Sequence, residues 1–366
     1  MKIAQLSTPL IPVPPPNYGG TELVVHNITE ELVKRGHEVT LFATGDSKTS
    51  AKLVAPFSNA LNPQEMERLF SPLALRLFWT HSLPSLYHAV SVFERASEFD
   101  IIHDHFHYIG LVFSNVVKTP VLHTYHGDLK TAQSSTIERL FFEKYRNLPW
   151  TAISESQKKN SHVPLNFVSV IHHGVPIEKF SFNENPEDYL VWVGRITPKK
   201  GLHYAIQTAK QVGKPLKIAG VIHPRDEEFF QKEIKPHLDE KLILFVGALG
   251  LEDKVSLLKN AKALLYPVTW EEPFGLVMIE AMATGTPVIA FAHGAVSEVI
   301  VNEETGFLIL GEGSVEALVD ATKKIYSLPQ GEYTELRKRS RKRVEDNFTV
   351  EKMVDKYEKV YQSILK

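Results

Sequence analysis

The sequence predicts an α/β protein made of two doubly wound, parallel-sheet domains. Three observations carry this. A chain of 366 residues exceeds one typical domain. It opens with a strand, a loop rich in proline and glycine, a helix and a second strand. The same scheme returns at Ala263–Phe291, where two short apolar runs flank a loop and a helix of good formers (Leu, Met, Ile, Glu, Ala).

Composition excludes several classes. Hydrophobic content of 43% and charged content of 23% are those of an ordinary globular protein. A net charge of −2 gives no general reason for nucleic acid or an anionic membrane as partner. There is no cysteine, which removes disulfides, cysteine nucleophiles and thiolate metal sites. No apolar stretch is long enough to span a bilayer. Met1–Leu6 enters a strand pattern directly, leaving no room for a signal peptide, so a soluble cytoplasmic protein is expected.

In chain order, Ile3–Leu6 reads as the first strand. Thr8–Gly20 follows with five prolines and the pair Gly19-Gly20. Thr21–Arg35 is an amphipathic helix closed by Gly36, and Val39–Ala43 the second strand. Glycines where a loop meets a helix N-terminus offer backbone N–H groups to a phosphate or sugar oxygen. A tight turn is the plain alternative, and without a GxGxxG pattern a dinucleotide reading is weak. Between Ala55 and Phe99 the aromatics Phe70, Phe78, Trp79, Tyr87 and Phe93 read mostly as core or cleft wall. Asp100–His107 reads DIIHDHFH, and in a strand His103, His105 and His107 would share one face. A metal site is one reading; polar residues lining a cleft are the simpler one. Val121–Tyr125 is a strand running into His126-Gly127, which sets His126 toward a cleft. Thr151–Ile153 and Val168–Ile171 are further strands, and Glu178–Tyr189 has the polarity of a linker.

The second domain opens with strand Leu190–Val193 and continues to helix Leu202–Val212. Between them Arg195 and Lys200 flank a loop that leads to a helix N-terminus, where both cations and the dipole could converge on a diphosphate. A basic solvated turn is the alternative. Strands follow at Leu216–Ala219 and Leu242–Val246, then the central unit Ala263–Phe291. Its loop, 268–274, lies beyond the end of a strand, where open sheets bind ligands. Glu272 precedes the helix and Glu280 lies within it; capping and a solvated face are their plain readings. Glu298–Ile300 and Gly306–Ile309 form the last strand region, and Ser314–Tyr326 is a helix. Arg337, Lys338, Arg339, Arg341, Lys342 and Arg343 read as a solvated helix face rather than a nucleic-acid patch. Phe348–Leu365 is a final amphipathic helix.

The stretch EEPFGLVMIEAMATGTPVIA resembles the signature of the family 4 glycosyltransferases, with its Glu, seven residues, Glu spacing at Glu272 and Glu280. Gly-Arg, four residues, Lys-Gly around Arg195 and Lys200 is similar to the same family. The resemblance implies a GT-B fold: two Rossmann-like domains facing a central cleft. It places an acceptor-side domain at 1–175 and a donor-binding domain at 176–347, with the helix at about 348–366 crossing back. It implies transfer of a hexose from a UDP- or GDP-sugar to an acceptor hydroxyl, with retention and no metal cofactor. Arg195, Lys200 and the helix start Gly275-Leu276-Val277 would bind the donor diphosphate. Gly19, Gly20 and Phe274 would approach the donor sugar and the acceptor. Glu272 and His126 would be the catalytic contacts to the sugar, and Glu280 would hold the ribose. Gly247–Asp253 would receive the base. The family's usual Asn stands as His173 here, at what reads as a linker position. The partners expected are the donor and an acceptor of unassigned class, without nucleic acid or a membrane span; peripheral membrane contact stays open. No carboxylate stands out for a covalent glycosyl-enzyme, so front-face displacement is favoured. The competing readings are an epimerase or phosphorylase of the same fold, or a non-catalytic nucleotide-sugar binder.

Overall fold

The computed structural model of the chain describes residues 1–61, 83–132, 134, 136–311 and 313–366. The chain divides into two compact units, Met1–His173 with Val350–Lys366, and Gly174–Thr349.

The first unit holds strands β1 (Lys2–Leu6), β2 (Glu38–Phe42), β3 (Lys52–Val54), β4 (Ile101–Asp104), β5 (Val121–Thr124), β6 (Trp150–Ala152) and β7 (Phe167–Val170). They form one sheet in the order β3-β2-β1-β4-β5-β6-β7, each neighbour parallel. Its inner strands are apolar because both faces are covered, as parallel sheets require: Ile3, Leu6, Ile101, Ile102 and Leu122 are fully buried. Helix α1 (Gly20–Lys34) turns Val24, Val25, Ile28 and Leu32 inward. The C-terminal helix (Val350–Ile364) packs on α1 through Arg35, which bonds Asp355 at 2.7 Å and also reaches Glu358. Val354, Tyr357 and Tyr361 bury its other face in this unit.

The second unit holds β8 (Leu190–Arg195), β9 (Leu216–Val221), β10 (Ile243–Gly247), β11 (Ala263–Tyr266), β12 (Val288–Phe291) and β13 (Gly306–Ile309). The order is β10-β9-β8-β11-β12-β13, again all parallel. Each sheet therefore reverses its winding once, between β1 and β4 and between β8 and β11. Ligands in doubly wound sheets sit beyond the strand ends at such a reversal.

Several expectations change. His103 lies in β4, but the strand ends at Asp104 and His107 opens a helix (His107–Ser114), so the three histidines do not alternate along one strand. Glu298–Ile300 is no strand: Val296–Val299 forms a helical turn. Glu178–Tyr189 is no free linker; Phe180 and Tyr189 are buried in the second unit. Phe93 is core, whereas Tyr87 is 60% exposed; Phe70, Phe78 and Trp79 lie outside the described residues.

The basic run departs most. It lies on a long helix (Gln330–Asn347) whose Arg337 is fully buried. Arg337 donates to the carbonyls of Asn183 (2.9 Å), Lys259 (2.9 Å) and Ala261 (3.1 Å). Arg341 donates to Phe180 and Ala283 carbonyls, each at 2.6 Å, and Arg343 to that of Glu298 at 2.9 Å. Lys259, Ala283 and Glu298 lie at or near the C-termini of three helices, where unpaired carbonyls carry the negative dipole end. These three arginines cap helices, whereas Lys338, Arg339 and Lys342 are exposed, so the solvated face holds for only half of the run.

Candidate active site

In the second unit the site grows from two loops that touch. The turn Pro198–Lys200 after β8 ends at Gly201, whose φ is +68°. A Cβ there would lie 1.8 Å from the carbonyl oxygen of Pro267, so only glycine allows the loop to press on the segment after β11. The amide of Thr269 donates to Lys199 O at 2.9 Å and ties the two together. This seats Lys200 beside Glu272.

Glu272 is buried and its Oε2 is shared. Lys200 Nζ lies at 2.5 Å, the Tyr266 hydroxyl donates at 2.8 Å and the Trp270 indole N–H at 3.0 Å. Lys200 also lies 5.2 Å from the centre of the Trp270 ring, within cation–π reach. The backbone of Glu272 is held from the other side. Ala295 N donates to its carbonyl at 2.8 Å, and at Gly294 (φ +65°) a Cβ would collide with Glu272 N and O at 2.3 Å. A buried carboxylate with a cation and two neutral donors is stable where a lone one would not be.

Helix α2 (Leu276–Ala283) starts one residue after Gly275, which caps it at φ +85°. Leu276 and Val277 give its first turn, with backbone N–H groups that suit an anion. The Phe274 side chain is buried and packs edge-on against Phe348, centroids 6.0 Å apart, so it is core and only its backbone is available to a ligand. Glu280, one face down α2, is buried and pairs with Lys254 at 2.6 Å. Lys254 lies on helix Leu251–Lys259, next to the segment expected to receive the base. Arg195 ends β8; its Nε is buried with no hydrogen-bond partner among the described residues. The expected pair thus splits: Lys200 is held by Glu272, and Arg195 keeps an unanswered N–H.

In the first unit Gly19 caps α1 and Gly20 is its first residue. Two residues on, Glu22 is buried and accepts from Thr8 Oγ1 at 2.6 Å; desolvation raises its pKa above the usual carboxylate value. His126 follows β5. Its Nε2 lies 2.8 Å from His105 Nδ1 and its Nδ1 3.4 Å from His173 Nε2. The three rings stack, with centroids 5.1 and 5.2 Å apart and planes within 29°. His173 is thus no linker residue: it is buried against His126. Gln157 Nε2 donates to the carbonyls of Tyr125 (2.8 Å) and Gly127 (2.7 Å), which pins the backbone on both sides of His126. Desolvation holds His105 well below the ordinary imidazole value and His173 down to about 3.

Sequence reasoning did not find Lys254, Tyr266, Trp270, Gln157 or the role of His173. Trp270 alone carried a local signal, an aromatic two residues before Glu272 and immediately ahead of the motif.

The comparisons with known proteins cover nearly the whole chain. Residues 176–345 match the family model described as glycosyl transferases group 1, and residues 18–179 the one described as glycosyltransferase family 4. An uncharacterized glycosyltransferase of Methanocaldococcus jannaschii is 25% identical over 346 residues, covering 84% of this chain and 85% of that protein. A glycogen synthase of Mycobacterium tuberculosis is 24% identical, covering 80% and 79%. A sucrose-phosphate synthase of Thermosynechococcus elongatus superposes with a TM-score of 0.80 at 22% identity, covering 99% and 98%. Anabaena HepE, solved with UDP-glucose, superposes with a TM-score of 0.74 at 19% identity, covering 99% and 100%. Two parallel Rossmann-like units of this topology are the GT-B fold, and with both halves matched the chain belongs to the family 4 type of glycosyltransferases, enzymes that transfer sugars.

Proposed function

We propose that this glycosyltransferase takes its sugar from a nucleoside-diphosphate donor, UDP- or GDP-linked, and passes it to an acceptor hydroxyl with retention and without a metal. The second unit binds the donor and the first the acceptor. The observation that carries the reading is the charge arrangement between β8 and α2. Arg195 keeps a buried N–H in need of an acceptor, Lys200 stands within 2.5 Å of Glu272, and the first turn of α2 adds free backbone N–H groups. Three donors of positive potential suit a diphosphate. HepE, solved with UDP-glucose, supports that donor class.

In the step, the bond from the anomeric carbon to the diphosphate oxygen breaks and its electron pair goes to that oxygen. The acceptor hydroxyl attacks the same face and its proton passes to the leaving diphosphate. Arg195, Lys200 and the helix start stabilise the charge that develops there. Glu272 holds the sugar, His126 lies near the reacting carbon, and Glu280 holds the ribose.

A panel of UDP- and GDP-sugars, assayed for hydrolysis with and without excess EDTA, tests the donor and the metal. Turnover that EDTA abolishes and manganese restores would refute metal independence. Calorimetry with UDP and GDP tests the diphosphate site. Arg195→Ala should weaken binding by about 1.5–3 kcal/mol, one charge-assisted contact. Unchanged affinity would return Arg195 to a structural role.

A further inference from the structure

His126 is one end of a longer buried chain. His105 Nε2 lies 3.0 Å from Gln5 Oε1, and Gln5 Nε2 donates to the Tyr361 hydroxyl at 3.2 Å. That hydroxyl lies 2.6 Å from His103 Nδ1, and His103 Nε2 lies 2.8 Å from Thr124 Oγ1. Thr124 contacts Thr151, whose hydroxyl lies 3.5 Å from the His123 carbonyl. Gln5, His103, His105 and Tyr361 are fully buried. They come from β1, β4, the residue after β4 and the C-terminal helix.

Every side chain in this series both gives and takes, so the series has two self-consistent directions. The Gln5 amide selects one of them, with Nε2 donating to Tyr361 and Oε1 facing His105, and the far end agrees with it. A carbonyl can only accept, so Thr151 donates to His123 O and accepts from Thr124. Thr124 then accepts from His103 Nε2–H, which leaves a lone pair on His103 Nδ1 for the Tyr361 O–H. Tyr361 accepts from the Gln5 amide, and Gln5 Oε1 from His105 Nε2–H. His105 Nδ1 is left to accept, and His126 must donate through Nε2. Burial keeps His103 and His105 uncharged, so each has one donor and one acceptor, as this series requires.

We propose that Gln5, His105 and Tyr361 are positioning residues that hold His126 as its Nε2–H tautomer with its ring plane fixed. The proposal rests on the reading of His126 as a sugar contact, and it gives the last helix a part in catalysis. An uncharged wall also suits an anomeric carbon that becomes positive.

The test is the tautomer itself. Full-length protein labelled with 15N-histidine, at pH 7.5, shows in multiple-bond 1H–15N spectra which ring nitrogen carries the proton. The His126 signals are those lost in His126→Gln. The expected result is a proton on Nε2, mixed tautomers in Gln5→Leu, and a smaller mixing in Tyr361→Phe, which deletes only the hydroxyl. With UDP-glucose or GDP-mannose, whichever is hydrolysed, both variants should lower kcat, Gln5→Leu by about tenfold, with KM within about twofold. Thermal midpoints check that each variant folds, and Tyr361→Phe decides if Gln5→Leu does not. A proton on Nδ1 in the wild type overturns the proposal, as does an unchanged tautomer in the folded variants. Full kcat in His126→Gln with the tautomers as expected would refute the sugar contact and leave the positioning chain standing.

Discussion

The two sheets wind alike around one reversal but equip it in opposite ways. Beyond β8, β10 and β11 the second unit places charges in pairs: Lys200 with Glu272, Lys254 with Glu280. Beyond β4 and β7 the first unit places two imidazoles, His105 and His173, that burial keeps neutral, with His126 between them. Charges that already have partners can exchange them for a diphosphate at little cost in desolvation. Neutral rings in a hydrogen-bonded series offer no field and only direction. Topology therefore selects where a site lies, and the electrostatics of the side chains select what it takes.

The largest expected effect breaks the neutral side of this contrast. His88, His103, His105 and His173 all have imidazoles lowered by desolvation, His88 to about 4 and His173 to about 3. The folded pKa lies below the unfolded value, so the unfolded chain binds more protons and stability is lost as pH falls below about 6.5. By pH 5 His88 and His173 should each cost about 2 kcal/mol, and His103 and His105 act in the same direction. Glu22, raised, acts in the opposite sense; Glu30 and Glu358, lowered, act only nearer the carboxylate range. Urea midpoints at pH 7.5 and 5 measure this. Equal midpoints would mean that the rings titrate freely.

The next effect breaks the charged side. Glu272→Gln should lower kcat by about a hundredfold, since its contact matters where the sugar gains positive charge. UDP or GDP affinity should not fall. It should rise a fewfold, because the same change releases Lys200 to the phosphates. A loss of nucleotide affinity would show that Glu272 orders the diphosphate site itself. Stability must be checked alongside, since the residue precedes α2.

These two sites were not equally legible. The second unit's residues lie in two short stretches, 195–201 and 272–280, so the resemblance of those stretches to a family brought them into view where spacing alone left a solvated turn and a capping acid. What spacing could not show is that Lys200 would face Glu272, which needs Gly201 against Pro267. The first unit's network joins Gln5 to Tyr361, 356 positions apart, and only the folded sheet makes them neighbours. His105 and His126 stood out as residues, but nothing local told a stack from a strand face. The basic helix did carry a missed signal. Tyr333, Leu336, Arg337, Ser340 and Val344 are its buried stripe at helical spacing, so Arg337 was always placed inward.

The smallest effect separates the two acidic pairs. Glu280 lies within α2 and, among the described residues, pairs with Lys254, without the phenol and indole that crowd Glu272. If Glu280 holds the ribose, free nucleotide and intact donor both meet it. Glu280→Gln should then weaken UDP or GDP and the donor alike, by about 1 kcal/mol, because the amide still accepts a hydrogen bond while the charge is lost. Its effect on nucleotide affinity thus has the opposite sign from that of Glu272→Gln. Lys254→Met should follow Glu280→Gln in direction, since a carboxylate that loses its cation no longer keeps its rotamer. Calorimetry on the three variants with one nucleotide decides the matter. If both Gln variants move affinity the same way, the two carboxylates are one functional unit and the division between sugar and ribose is wrong.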